Sequence, residues 1–287
     1  MKDGFLNLLK PPGMSSHDMV NAVRRRLGVK KVGHAGTLDP GAAGVLPIAV
    51  GRATKFLEYL SDHSKAYRAE LIFGYSTDSG DDTGRVLERQ EEFVMPSMDD
   101  IERVLESFRG DIVQIPPKFS AIKIDGKKAY DMARNNQEVS MPERHVRITR
   151  LDLVRIRKGQ LLIDVDCSKG TYIRSLCVDM GRAFGILSTM GFLLRKRVGE
   201  FLLENSVTPE EFNEYGEQTL IDPRRCLSGL PRYQLPIHRK NAFCNGLATT
   251  VREKDLPLRF CVYCDDEFIG IGGYSEEEST VVPVKVY

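Results

Sequence analysis

Apolar positions along this chain change period several times, and each change marks an element. Phe5-Leu6-Asn7-Leu8-Leu9 reads as a short strand, closed by Lys10-Pro11-Pro12-Gly13, a turn that continues neither strand nor helix. Ser15-Ser16-His17-Asp18 then fits a capping box, and Met19, Val20, Val23 and Leu27 form one helical stripe that Gly28 ends. The run Leu46-Pro47-Ile48-Ala49-Val50 predicts a buried strand, and Ala53, Phe56, Leu57 and Leu60 predict a second amphipathic helix. Alternation from Lys65 to Phe73 predicts another strand. Ser97 opens a helix through Ile101, Val104, Leu105 and Phe108, stopped by Gly110. Two strands joined at Lys158-Gly159 span His145 to Cys167, and a helix runs from about Arg174 to Gly185. A strand follows at Gly191-Phe192-Leu193-Leu194, and Thr208-Pro209 starts a short helix with its proline at the first position. Strands interleaved with helices predict an α+β fold. From Gly229 the pattern shifts to short β-like pieces, so a catalytic-sized domain is expected over 1–228 and a small β-rich one over 229–287.

Between the first helix and the Leu46–Val50 run lies Gly33-His34-Ala35-Gly36-Thr37-Leu38-Asp39-Pro40-Gly41-Ala42-Ala43-Gly44-Val45, a loop able to turn tightly and approach a ligand. Its one carboxylate, Asp39, stands between Leu38 and Pro40 rather than among solvated neighbours. Such an acid is a candidate catalytic group, and it equally fits a turn aspartate bonded to its own backbone; local pattern does not choose between them.

At 287 residues, with 41% apolar and 28% charged positions, the chain has the make-up of a globular protein. The absence of an eighteen-residue apolar run and of a signal-peptide core predicts a cytoplasmic protein without membrane contact. Six cysteines make no disulfide framework. Cys261-Val262-Tyr263-Cys264 has metal-ligand spacing but lies in a strand-like run without a second pair, so no metal is expected. Net charge is only +1, yet charge is segregated. Arg24, Arg25, Arg26, Lys30 and Lys31 cluster without an acid, and residues 118–150 hold eight Lys/Arg against four Asp/Glu. Residues 78–106 reverse the balance, with ten acids and three arginines. Localised basic stretches suit a polyanion on one face, and solvated helix faces are the other reading. The 118–150 stretch has too few apolar residues for a core and reads as a projecting insertion. No HExxH, GxSxG or P-loop motif occurs, and Gly270-Ile271-Gly272-Gly273 lacks the helix a dinucleotide loop needs.

The Gly33–Pro40 stretch with Ala43-Gly44-Val45-Leu46 resembles the catalytic motif of the TruB family of tRNA pseudouridine synthases. Four further segments match that family in its order: Lys10-Pro11-Pro12-Gly13 before the Ser-Ser-His-Asp helix start, Lys65-Ala66-Tyr67, Gln114-Ile115-Pro116-Pro117-Lys118-Phe119-Ser120-Ala121, and Gly170-Thr171-Tyr172-Ile173-Arg174. The resemblance spans about Phe5 to Phe201. It implies the pseudouridine synthase fold, a mixed and largely antiparallel central sheet flanked by helices. It makes Asp39 the catalytic carboxylate, Arg174 its counter-ion and Tyr67 the platform for a flipped base, with a hydroxyl able to carry a proton. It makes Leu193 the apolar wall on the base's other side, Tyr172 a support of the pocket, and His34 a group that enters the RNA where the base was. Lys10, Lys123, Lys127 and Lys128 are implied RNA contacts.

The implied reaction is conversion of the T-loop uridine of tRNA (position 55) to pseudouridine, without metal or cofactor. The implied enzyme is a monomer without an obligatory protein partner, with residues 118–150 clamping the T arm. The tail from Gly229 resembles a PUA-like RNA-binding module. One departure stands out: the family commonly reads Leu-Arg-Arg where this chain has Leu193-Leu194-Arg195. Two other readings stay open at this point, a guide-dependent relative acting inside a protein complex and an RNA-folding protein whose main work is binding.

Overall fold

The computed structural model describes residues 3–61, 63–120, 122–124, 127–134, 140–227, 229–253 and 255–287. Its centre is a nine-stranded sheet with the main path Gly4–Lys10, Ala43–Val50, Ser188–Val198, Lys65–Phe73, Gln160–Cys167, Arg144–Arg157, Gly110–Gln114. Val32–His34 and Phe201–Leu202 attach beside that path. Pairing along it is antiparallel except where Leu194 and Arg195 run parallel to Ala43 and Gly44. This is the α+β class that the strand pattern predicts, with the largely antiparallel central sheet that the family resemblance implies.

Alternation decides which face is covered. In Lys65–Phe73, Tyr67, Ala69, Leu71 and Phe73 point inward, and Leu161, Ile163, Val165 and Cys167 continue that face on the neighbouring strand. Helices Met98–Ser107 and Ile173–Phe184 close over it with Ile101, Leu105, Leu176, Cys177 and Met180. Each such apolar side chain contributes roughly 1.5–3 kcal/mol on burial. Toward the chain's start, helix Ser16–Leu27 lays Met19, Val20, Val23 and Leu27 on Leu6, Leu8, Leu46 and Ile48. Ser15 and Asp18 form the reciprocal capping box there, so the helix begins where the sequence places it.

Several boundaries differ from expectation. The helix expected from Ala53 to Leu60 starts as a 3-10 turn, Gly51–Phe56, and becomes α-helical only over Leu57–Ser61. The strand at Gly191–Leu194 extends over Ser188–Val198, because pairing on both sides carries it past its apolar centre. The 118–150 insertion is shorter than drawn. Arg144, Arg147 and Arg150 belong to a fourteen-residue sheet strand that pairs with Gly110–Gln114, so the chain leaves the sheet after Gln114 and is back in it at Arg144. Within that segment Lys123–Ile124 pairs with Lys127–Lys128, followed by helix Ala129–Arg134. The side chains of Lys123, Lys127 and Lys128 lie outside the described residues.

A five-stranded sheet, in the order Arg232–Gln234, Phe260–Cys264, Glu267–Ser275, Thr280–Val286, Thr249–Thr250, forms the C-terminal part. One of its faces shares a core with the first part: Phe56 packs 5.6 Å from Phe268 and 5.8 Å from Tyr287, ring to ring. Arg52 lies 4.4 Å above the Tyr287 ring. Cys261 and Cys264 are buried in the Phe260–Cys264 strand, and Gly270–Gly273 lies in a strand rather than a nucleotide loop. Among the described residues no His, Cys, Asp or Glu cluster has a metal-binding arrangement, and no helix is long and apolar enough to cross a membrane.

Candidate active site

The loop carrying Asp39 is anchored at both ends, since Val32–His34 and Ala43–Val50 pair with each other. Between those ends the backbone is held by side chains from elsewhere. Ser16 Oγ accepts from Leu38 N (2.9 Å) and donates to Leu38 O (3.0 Å), so the first residue of a helix fixes the residue before Asp39. Gly13 N donates to Pro40 O at 2.8 Å, fixing the residue after it. Lys10 Nζ donates to Pro11 O (2.8 Å), Met14 O (2.6 Å) and Pro40 O (3.2 Å). Arg195 donates from Nε to Val45 O (2.7 Å) and from its terminal nitrogens to Thr37 O (3.1 Å) and Gly36 O (3.3 Å).

Asp39 thus projects from an over-determined backbone to meet Arg174, with Nε 3.0 Å from Oδ2 and a second contact of 3.4 Å to Oδ1. Arg174 stands in the first turn of helix Ile173–Phe184, where the helix dipole disfavours a cation. Two carboxylates offset that: Asp39, and Asp81 at 3.7 Å. The guanidinium also donates to Ser79 O (3.1 Å) and Phe119 O (3.0 Å), so its orientation is set from four positions of the chain. Asp81 is fixed in turn, its Oδ1 accepting from Ser79 Oγ (2.9 Å), Thr83 N (3.1 Å) and Thr83 Oγ1 (2.6 Å).

Around the pair opens a cleft of ≈ 1070 Å³ whose lining includes His34, Leu38, Asp39, Asp81, Arg174 and Leu193. The acid is the accessible partner, 37% exposed, while the Arg174 side chain is 6% exposed. Leu38, Met190 and Leu193 give the cleft an apolar wall beside its aspartates Asp39, Asp78, Asp81 and Asp82, an arrangement that suits a planar ligand presented to an acid.

The other sequence-predicted residues fall in three groups. His34 and Leu193 line the cleft with Asp39 and Arg174. Burial holds the His34 imidazole below its ordinary pKa, and its Nδ1 is buried without a partner among the described residues. Tyr67 and Tyr172 sit behind the lining. Tyr67 belongs to the apolar cluster with Leu38, Ala42 and Leu193, and burial pushes its phenol up to about 12. Such a phenol stays protonated at neutral pH. Tyr172 caps the helix that carries Arg174, its N donating to Gln114 Oε1 (3.0 Å) and its O accepting from Gln114 Nε2 (3.3 Å). Lys10 is a correction: rather than reaching toward RNA, it is wholly buried, with its ammonium spent on three loop carbonyls. That burial brings its pKa down to about 8, against an opposing pull from Asp39.

Part of the basic 24–31 cluster is spent on backbone oxygens of the protein itself. Arg24 donates to Val32 O, and Arg26 to Asn213 O and Glu214 O. Sequence reasoning missed Asp81, Ser16 and the loop contacts of Arg195. For Arg195 a signal existed, a basic residue at an inward-facing position of an alternating strand.

The architecture is the pseudouridine synthase fold. A chain in the structure of an H/ACA RNP bound to a substrate RNA containing 2′-deoxyuridine superposes with a TM-score of 0.75 at 23% identity, covering 100% of this chain and 84% of that one. The family model for the TruB family pseudouridylate synthase N-terminal domain matches residues 24–173. A protein of Alkaliphilus oremlandii named tRNA pseudouridine synthase B is 42% identical over 293 residues, covering 99% of this chain and 97% of that relative. A second of that name, from Caldanaerobacter subterraneus subsp. tengcongensis, is 48% identical over 245 residues, 85% of each chain. The chain belongs to the TruB family of pseudouridylate synthases.

Proposed function

We propose that this cleft isomerises a uridine of tRNA, the T-loop uridine at position 55, to pseudouridine, with Asp39 as the catalytic carboxylate. The observation that carries this is the Asp39–Arg174 pair: an accessible acid, held on a fixed loop against a buried guanidinium, in a cleft that Leu38, Met190 and Leu193 also line. The reaction conserves every atom. The N1–C1′ bond breaks, uracil turns, a C5–C1′ bond forms, C5 loses its proton and N1 gains one. Asp39 serves either as nucleophile or as base in the step that frees uracil, and Arg174 keeps it ionised and aimed. The T-loop base reaches the cleft by leaving its stack, with Leu193 and the Tyr67 ring beneath it forming the walls. His34, at the rim, takes the vacated place. Tyr172 positions Arg174 from behind.

Lys123, Lys127 and Lys128 contact phosphates of the T arm from the segment that leaves the sheet, and those contacts position the RNA without reading it. Residues 229–287 form a PUA-like module adding RNA surface to the catalytic 1–228 part. The enzyme works as a cytoplasmic monomer, with no metal, cofactor or obligatory partner.

Incubation with an isolated T-arm hairpin, followed by nucleoside chromatography, tests this reading. Wild-type protein should convert the target uridine. Asp39→Asn should form no detectable product while binding the hairpin within about tenfold, roughly 1.4 kcal/mol. Product from the variant at a comparable rate would return Asp39 to the role of a turn residue.

A further inference from the structure

Arg195 is among the largest fully buried side chains of the protein, 1% exposed, and among the described residues no carboxylate pairs with it. Burying a guanidinium is costly unless its donors are satisfied. Its donors go instead to main-chain oxygens at the entry of the Asp39 loop, Gly36 and Thr37, and just past its exit, Val45. The backbone of the same residue grips the exit a second time. Leu194 and Arg195 make the single parallel pairing of the sheet path, with Ala43 and Gly44. Gly44 has φ +122°, and a Cβ placed there would stand 2.2 Å from Arg195 O and 2.6 Å from Arg195 N. Only glycine permits this approach.

We infer that Arg195 is a positioning residue for the reaction: one residue staples both ends of the loop, by side chain at the entry and by main chain at the exit, and so fixes where Asp39 presents its carboxylate. This rests on the reading of Asp39 as the catalytic acid. The planar fork of arginine matters because its Nε and terminal nitrogens serve oxygens on opposite ends of the loop at once. A lysine ammonium is a single point and reaches one end or the other. Misplacing a reacting group by about 1 Å costs on the order of 10²-fold in rate.

The test compares Arg195→Lys and Gly44→Ala, each separately and together, with wild type and Asp39→Asn as controls. Single-turnover rate at saturating T-arm hairpin, hairpin affinity and folded fraction by thermal melting are measured for each. Either substitution should slow the chemical step about tenfold or more per folded molecule, with affinity within about twofold of wild type. Because both loosen one staple, the double variant should lose less than the product of the two single losses. A rate per folded molecule that stays at wild type in Arg195→Lys overturns the inference and leaves a purely structural cation. A rate loss that tracks a fall in affinity overturns it too, because the guanidinium then serves the RNA. Activity retained in Asp39→Asn strikes at the underlying reading instead, and is recognised by that control alone.

Discussion

Arg174 and Asp39 stand 135 residues apart in the chain and 3.0 Å apart in the fold, and they differ sharply in access, the guanidinium buried and the carboxylate open to the cleft. That asymmetry divides the labour of the pair. The buried cation faces oxygens of four residues, Asp39, Asp81, Ser79 and Phe119, so it cannot swing toward a ligand. The acid has one direction left free, toward the cleft. A pair with both members exposed would hold neither in place.

Arg174→Lys keeps the charge but cannot serve Asp39, Ser79 O and Phe119 O at the same time. The single-turnover rate should fall about 10²-fold while hairpin affinity stays near wild type. Arg174→Met removes the charge and leaves Asp39 and Asp81 facing each other without a cation. It should also lower stability in urea unfolding, by less than the roughly 3–5 kcal/mol lost when a fully buried pair is broken, because Asp39 stays accessible to solvent. A lysine variant as fast as wild type would show that charge alone suffices.

Lys10 gives a prediction in pH. Its folded pKa, brought down to about 8, lies below the ordinary 10.5. Between those values the unfolded chain still binds the proton and the folded one does not, so stability gains with rising pH over that window. Wild-type stability should therefore climb from about pH 8 toward pH 10.5 relative to Lys10→Met, measured by urea midpoints along a pH series. Parallel curves would mean that Lys10 keeps its proton throughout.

How far the sequence could be read follows from which forces are local. The capping box of Ser15 with Asp18 and the helix start at Thr208-Pro209 are short-range signals, and both stand where the pattern puts them. Strand alternation locates Lys65–Phe73 and the pair around Lys158-Gly159 for the same reason. The Asp39 loop is legible from its glycines and prolines, yet its partner Arg174 follows only from family resemblance, because nothing local records a contact across 135 residues. Buried cations were the least legible. Lys10 and Arg195 look like solvent or RNA contacts in a sequence, and only the fold supplies the carbonyls that take them inside. The 118–150 boundary failed similarly, since a basic strand such as Arg144–Arg157 owes its place to pairing with Gly110–Gln114 and Gln160–Cys167 rather than to its own apolar content.

Replacing Lys123, Lys127 and Lys128 with alanine should weaken hairpin binding without slowing chemistry on bound RNA. For every lysine that neutralises a phosphate, its removal should reduce the slope of log affinity against log salt by roughly 0.7–0.9. An unchanged slope would assign these lysines to a solvated hairpin with no RNA role.

Tyr67 separates packing from chemistry. Its ring is 7% exposed and packs in the cluster with Leu38, Ala42 and Leu193, directly under the residues that line the cleft. Tyr67→Ala should therefore cost about 3–5 kcal/mol of stability by cavity formation, before any effect on RNA. Tyr67→Phe keeps the ring and removes only the hydroxyl. Its hairpin affinity should match wild type, because the platform survives, while its melting midpoint falls slightly as the buried Arg195 loses the hydroxyl it donates to. The phenol, held near 12 by burial with Arg195 pulling the other way, is a neutral donor at pH 7 and can give a proton only where a stronger base develops in the reaction. If it does so, Tyr67→Phe binds normally and turns over at least tenfold more slowly in single-turnover assays. Equal rates in the phenylalanine variant and wild type would confine Tyr67 to the wall of the pocket, and a phenylalanine variant that loses affinity as the alanine one does would remove it from the platform role altogether.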